Sequence, residues 1–179
     1  KTLWELARFQ HAVPLAQGWL LTGNERYAQE YCQQIQSFLE ANPRERGIHW
    51  LCAMELGLRA VNLAVSFQVF RHSESFDLGA LKALLKLMLT HGLHIERNLE
   101  YSHSVTSNHY LSDLLGLLWI GLAFPEFKQS KRWVRFASRE LRAEMRKQVY
   151  RDGADWEAST GYHALVLEIF FYAYLFCRR

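Results

Sequence analysis

Two stretches of this chain, residues 108–124 and 161–177, are apolar on nearly every side at helical spacing, and from Ala164 to Cys177 the only charge is Glu168. A helix without a polar face has to be buried all round. Two such helices therefore require a surrounding layer of amphipathic ones. The rest of the sequence supplies that layer: apolar residues keep a helical period from end to end, and no segment of any length alternates like a strand. Ten glycines and three prolines in 179 residues are also too few for many short strands. The expected fold is all-α, a two-layer array that is either an α/α toroid of antiparallel helical hairpins or a stacked repeat, with no repeat of regular period to support a solenoid.

The periodicity predicts seven helices. The first opens at Thr2-Leu3-Trp4-Glu5, a capping-box pattern, is interrupted near Pro14 and resumes to about Thr22. The others span about Glu25 to Ala41, closed by Asn42-Pro43; His49 to Arg71; Asp77, as cap, to Asn98; Asn108 to Phe124; Phe127 to Tyr150; and a last helix from near Gly161. A polar loop, Glu100 to Ser107, precedes the fifth. Both ends read as cut. No initiator Met precedes Thr2, and the chain stops at Arg178-Arg179 just after its most apolar helix, so a covering segment is expected to follow. Residues 1–179 are read as one helical portion of a longer protein.

Apolar residues are 50% and charged residues 22%, which excludes a disordered chain. With 21 basic against 18 acidic residues, the charge of +3 gives no argument for nucleic acid. The sixth helix does carry a one-sided stripe, Lys128, Arg132, Arg135, Arg139, Arg142 and Arg146. It reads as a solvated outer face, or else as a track for a polyanion. Cys32, Cys52 and Cys177 are far apart and odd in number, without metal-ligand spacing to His. They read as buried thiols, with neither disulfide framework nor zinc site. No signal peptide opens the chain, and no apolar run reads as long enough to span a bilayer.

Two polar clusters sit at the starts of the two apolar helices: Ser107-Asn108-His109-Tyr110, and Asp152 through His163. Free N–H groups at a helix start favour anions, so either cluster can line an anion pocket; Asn108 can equally be a simple cap.

These clusters also carry a resemblance. Trp4-Glu5 with Arg8-Phe9-Gln10-His11, Asn42-Pro43, Gly47-Ile48-His49-Trp50, Met54-Glu55 with Arg59, Ser107-Asn108-His109, Phe124-Pro125-Glu126-Phe127, and the block from Gln148 to Tyr162-His163 occur in order along most of the chain. Together they resemble the N-terminal domain of the heparinase II/III-like polysaccharide lyases. The resemblance implies an incomplete α/α toroid followed by β-sheet domains of the same parent chain. It implies an acidic, uronate-containing polysaccharide as substrate, cleaved by β-elimination, and a periplasmic or secreted enzyme. Asn108 matches the position that neutralises the uronate carboxylate, His109 would support it, and Tyr162 matches the catalytic tyrosine. Glu157 and His163 would orient Tyr162 or touch sugar hydroxyls. His49 and Trp50 would offer a stacking platform. Glu55 and Arg59, one turn apart, read as a helix pair or as sugar contacts. A further catalytic histidine would lie beyond residue 179. Neither cofactor nor metal is expected in this portion, and neither nucleic acid nor membrane as partner. Two other readings stay open: a carbohydrate-binding or scaffold module that lost catalysis, and an inverting glycoside hydrolase using Asp152, Asp155 or Glu157, whose clustering in one segment fits poorly with carboxylates held ~6.5–9.5 Å apart.

Overall fold

A computed structural model describes residues 2–177, the side chain of Thr2 excepted. The helices are α1 (Thr2–Leu6), α2 (Ala12–Thr22), α3 (Arg26–Ala41), α4 (Ala53–Phe70), α5 (Leu78–Arg97), α6 (Asn108–Ala123), α7 (Ser130–Gln148) and α8 (Thr160–Cys177), with a 3-10 turn at Ile48–Trp50. No strand occurs among the described residues; the one β-bridge, Val149 to Asp155, closes the turn after α7.

Side-chain contacts fix the layers. Gly57 meets Ser112 and Phe67 stacks near Phe124, so α4 and α6 run parallel in a register offset by about one hairpin. Arg8 near Asn62 and Trp19 near Phe70 set α2 parallel to α4. Asn108 with Glu157, and Trp119 with Phe176, set α8 parallel to α6. The returning helices run the other way: Tyr27 sits against Gly18 and Phe38 against Phe9 in α3, His91 against Arg59 and Phe76 against Phe67 around α5, and Val134 against Gly121 and Glu140 against Tyr110 in α7. The array is an inner row α2, α4, α6, α8 with outer helices α3, α5 and α7, the hairpin arrangement expected of a toroid portion. All inner helices begin on one rim.

Burial follows the patterning. In α6 every residue from Tyr110 to Gly121 is buried, as an all-apolar helix demands. Outer helices α3 and α7 bury one stripe: Ala28, Tyr31 and Ile35 in α3, Trp133, Ala137 and Leu141 in α7. Much of the aromatic content is core, with Tyr31 and Phe70 stacked at 4.6 Å and Trp133 filling the space over Gly92. Asp77 caps α5 as expected, accepting from Ala80 N–H at 2.8 Å.

Four expectations need correction. The first helix breaks at Phe9 (φ 58°), not at Pro14. Pro14 is the third residue of α2, where a missing N–H leaves no intrahelical bond unmade. The corner instead lends its carbonyls to α4: Arg59 donates to Ala7 O, and Asn62 to Arg8 O at 2.9 Å. The third helix is likewise split, because Cys52 is extended (φ −126°, ψ 113°) between the 3-10 turn and α4. The cysteines are free but not all buried: Cys32 and Cys52 are half-buried and Cys177 is exposed. Finally, α8 is fully buried only on Val166, Ile169, Phe170 and Ala173, with Leu165 and Phe176 half-buried beside them and the opposite apolar face open. By length and composition, with mean hydropathy 1.3 over 18 residues, it does reach what a bilayer span requires. The expected Thr2 cap rests on a side chain outside the described ones.

Candidate active site

The common rim of the inner helices gathers most of the singled-out polar residues. Ser107 caps α6, its hydroxyl accepting from His109 N–H at 3.4 Å, so Asn108 is the first helical residue rather than the cap. Asn108 is 3% exposed. Its amide Nδ2 donates to both oxygens of Glu157, at 3.0 and 2.8 Å, and its backbone N–H donates to the same carboxylate at 2.8 Å. The free N–H groups and partial positive charge of a helix start suit this anion. Asn108 Oδ1 has no hydrogen-bond partner.

Glu157 belongs to the loop into α8. That loop is tied down by Trp156 N–H to Gln148 O at 3.0 Å and by Glu157 N–H to Asp155 at 3.2 Å. Asp155 is 5% exposed, and burial raises its carboxyl. His163 Nδ1 accepts from Asp155 N–H at 3.2 Å and helps line an open hollow of about 490 Å³ with Asp152, Ser159 and Thr160. Tyr162, in the first turn of α8, is 48% exposed. The register of α6 and α8 brings this first turn to the rim of Asn108 although 54 residues separate them (162 − 108 = 54).

His109 lies on the other side of Asn108, its Nδ1 hydrogen-bonded to Glu100. The Cys52 sulfur and the Glu100 carboxylate hold its imidazolium, pushing it up to about 10. Glu100 is fixed in turn through its backbone N–H, which donates to Asp113 Oδ2 at 2.7 Å. Burial pushes Asp113 up to about 8.

Glu55 and Arg59 do not pair with each other. Glu55 takes a two-pronged ion pair from Arg8, both bonds 2.7 Å, because the corner at Phe9 brings Arg8 over the start of α4. Arg59 is fully buried, donating to Ala7 O, meeting His91 Nε2 at 2.9 Å and covering the Phe38 ring at 4.6 Å. Burial first, then Arg59, keeps His91 neutral and able to accept. Arg59 is thus a structural clasp away from solvent, not a sugar contact. Trp50 is also no platform: it is 5% exposed, edge-on to His91 and His94 at 5.2 and 5.4 Å. His49 packs by Phe38 in a groove bordered by α1 and α3, apart from Asn108. The sequence places Arg8 in one motif, beside Trp4-Glu5, and Glu55 in another, so their pairing is not legible without the corner that joins them. The α7 stripe is an exposed outer face whose Arg132 pairs with Glu96 at 2.8 Å and Arg139 with Glu140 at 2.9 Å.

A parallel inner row of helices with returning outer helices, and an amide, an imidazolium, a tyrosine and several carboxylates at the starts of the inner ones, defines an all-α domain of the toroid class. The chain belongs to the Heparinase II/III N-terminus family, whose model matches residues 1–179. It is 30% identical over 96% of its length to a heparin-sulfate lyase of Pedobacter heparinus, and 26% identical over 93% to one of Bacteroides stercoris. It spans only 26% and 28% of those two proteins. Among solved structures it resembles heparan sulfate lyase HepC from Pedobacter heparinus (TM-score 0.78, 30% identity, 96% of this chain and 27% of that one). A heparinase III structure superimposes similarly (TM-score 0.77, 26% identity, 97% and 30%).

Proposed function

We propose that this chain is the helical portion of a longer, exported lyase that cleaves a uronate-containing polysaccharide by β-elimination, with heparan sulfate the first polymer to try. The observation that carries the reading is the grip of Asn108 on a carboxylate. A buried amide at a helix start already binds Glu157 through both oxygens. A uronate carboxylate presents the same two oxygens, and takes this place when Glu157 swings aside.

The chemistry needs such a grip. Breaking the C5–H bond places a second negative charge beside an ionised carboxylate. The Asn108 amide, the α6 helix start and the His109 imidazolium offset that charge, as an oxyanion hole does. The C5 electron pair forms the C4–C5 double bond, the C4–O4 bond breaks, and the leaving O4 takes a proton. Tyr162 is the group assigned to that proton, and to removing the C5 proton when its phenolate faces it. His163, which accepts from Asp155 N–H, orients the start of α8 for this task, and the displaced Glu157 is free to meet sugar hydroxyls.

The test uses the parent enzyme with acidic polysaccharides and follows ultraviolet absorbance of the unsaturated product. Tyr162→Phe is expected to lower turnover by about 10²–10⁴-fold and Asn108→Ala by about 10²–10³-fold. New reducing ends without absorbance would make the enzyme a hydrolase. Polymer binding without either product would make it a binding module.

A further inference from the structure

Cys52, Glu100 and His109 come from three separate places in the chain, yet one ligand atom from each lies within 4.8 Å of the other two. We propose that these three side chains form a binding site for a zinc-class divalent cation on the rim of the inner helices. A thiolate, an imidazole and a carboxylate are the donors zinc takes, and three protein ligands leave a fourth position for water; the cation displaces to solvent the protons these donors carry, the His109 imidazolium proton included. Bonds of about 2.0–2.3 Å place tetrahedral ligand atoms roughly 3.3–3.7 Å apart. His109 Nδ1 and Glu100 already touch, so a cation parts that pair to this spacing while the Cys52 sulfur draws in, movements within reach of side-chain rotation.

The frame holding the three groups is stiff. Cys52 is the extended residue just before α4, and His109 lies in the first turn of α6. Those helices touch backbone to backbone, a Cβ on Gly116 coming within 2.6 Å of Gly57 Cα. Glu100 is pinned by its N–H bond to Asp113. Cys52 and Glu100 are half-buried while His109 is exposed, so a cation can enter from solvent. Two helix starts oppose a cation with about half a unit charge each; a thiolate and a carboxylate together outweigh them. Arg8 also lies close to Cys52, but its charge is answered by Glu55 at 2.7 Å. Sequence spacing gave no sign of this site because its members are 48 and 9 residues apart (100 − 52 and 109 − 100).

Binding is read without substrate, so the result is independent of the lyase reading. The full chain is titrated with Co²⁺ as spectroscopic probe, and Zn²⁺ is then added as competitor. One equivalent of Co²⁺ is expected to give a thiolate-to-cobalt band in the near ultraviolet, bleached by Zn²⁺. The band should vanish in Cys52→Ser and persist in Cys32→Ser and Cys177→Ser. His109→Gln, which keeps the thiol, should weaken binding at least about tenfold. Circular dichroism checks that both variants stay helical, and either one alone suffices if the other unfolds. Absence of the band in the native chain, its survival in Cys52→Ser, or its loss with Cys177 instead would overturn the site.

Discussion

Glu25 shows how much one side chain can organise. Its carboxylate accepts from Trp19 Nε1 at 2.8 Å, from Ser75 N–H at 3.1 Å and from the Ser73 hydroxyl, joining the end of α2 to the loop between α4 and α5. The Ser73 bond first, then those of Trp19 and Ser75, lower it from 4.5 to about 2. A carboxylate depressed on folding stabilises fully above its unfolded value and loses that contribution as pH falls through the folded one. Glu25→Gln should therefore be less stable than the native chain at about pH 7, and the gap should close as pH falls from about 4.5 to about 2. Denaturant melts at several pH values measure it; a gap that does not change with pH would show that the negative charge is not what stabilises. At this scale the sequence was partly legible. The sequence did place Asn108, His109 and Tyr162 at the starts of two apolar helices, because helix starts are marked by polar residues next to an apolar run, and α6 and α8 do begin there. Arg59 and Trp50 were misjudged because a charged or amphipathic side chain gives no sign of being buried until its neighbours are known. Arg59 has its carbonyl acceptor 52 residues away.

Among the elements, the crossing of α4 and α6 sets the geometry of the rim, since it aligns Cys52 and Glu55 with Asn108 and His109. Gly57 and Gly116 permit it: a Cβ on Gly57 would lie 2.4 Å from Ser112 O, and one on Gly116 2.6 Å from Gly57 Cα. Both obstacles are backbone and cannot swing away. Ala at either position gains up to about 1 kcal/mol of helix propensity, but overpacking a rigid contact costs about 1–3 kcal/mol or more. The clash wins, and Gly116→Ala should lower the midpoint of thermal unfolding. Gly161→Ala is the opposite case. It stands at the start of α8 with its nearest neighbour, Ser159 Oγ, at 3.9 Å, so it should be neutral or stabilising. Thermal melts of the two variants compare directly, and equal shifts would mean the helices slide apart freely. Periodicity had placed nearly every helix, because a stripe of apolar residues is a property of one segment. It could not reveal that two glycines, each merely helix-weakening alone, are partners across an interface. Nor could it locate the Phe9 corner, which depends on carbonyl partners supplied by α4.

For the molecule as a whole, the row of inner helices is covered unevenly. α6 lies between α4 and α8 with α5 and α7 behind it, whereas α8 has neighbours on one side and exposes Leu167 (59%), Phe171 (54%) and Leu175 (41%) on the other. Its composition is that of a buried helix, and its environment is that of an edge. Each fully exposed residue of this size forgoes about 1.5–3 kcal/mol of burial, and contiguous apolar patches of this kind drive association. The chain of 179 residues in isolation should therefore self-associate as concentration rises, through the α8 faces of two copies. Replacing Leu167 and Phe171 with Glu puts charge on that patch without touching Val166, Ile169, Phe170 or Ala173, which hold α8 to the array. Sedimentation across a concentration series should show association for the native chain and a monomer for Leu167→Glu/Phe171→Glu, both keeping the same helicity. A native chain that remains monomeric at high concentration would show that the edge of α8 is tolerated by water, and that its apolar composition is not there to be covered.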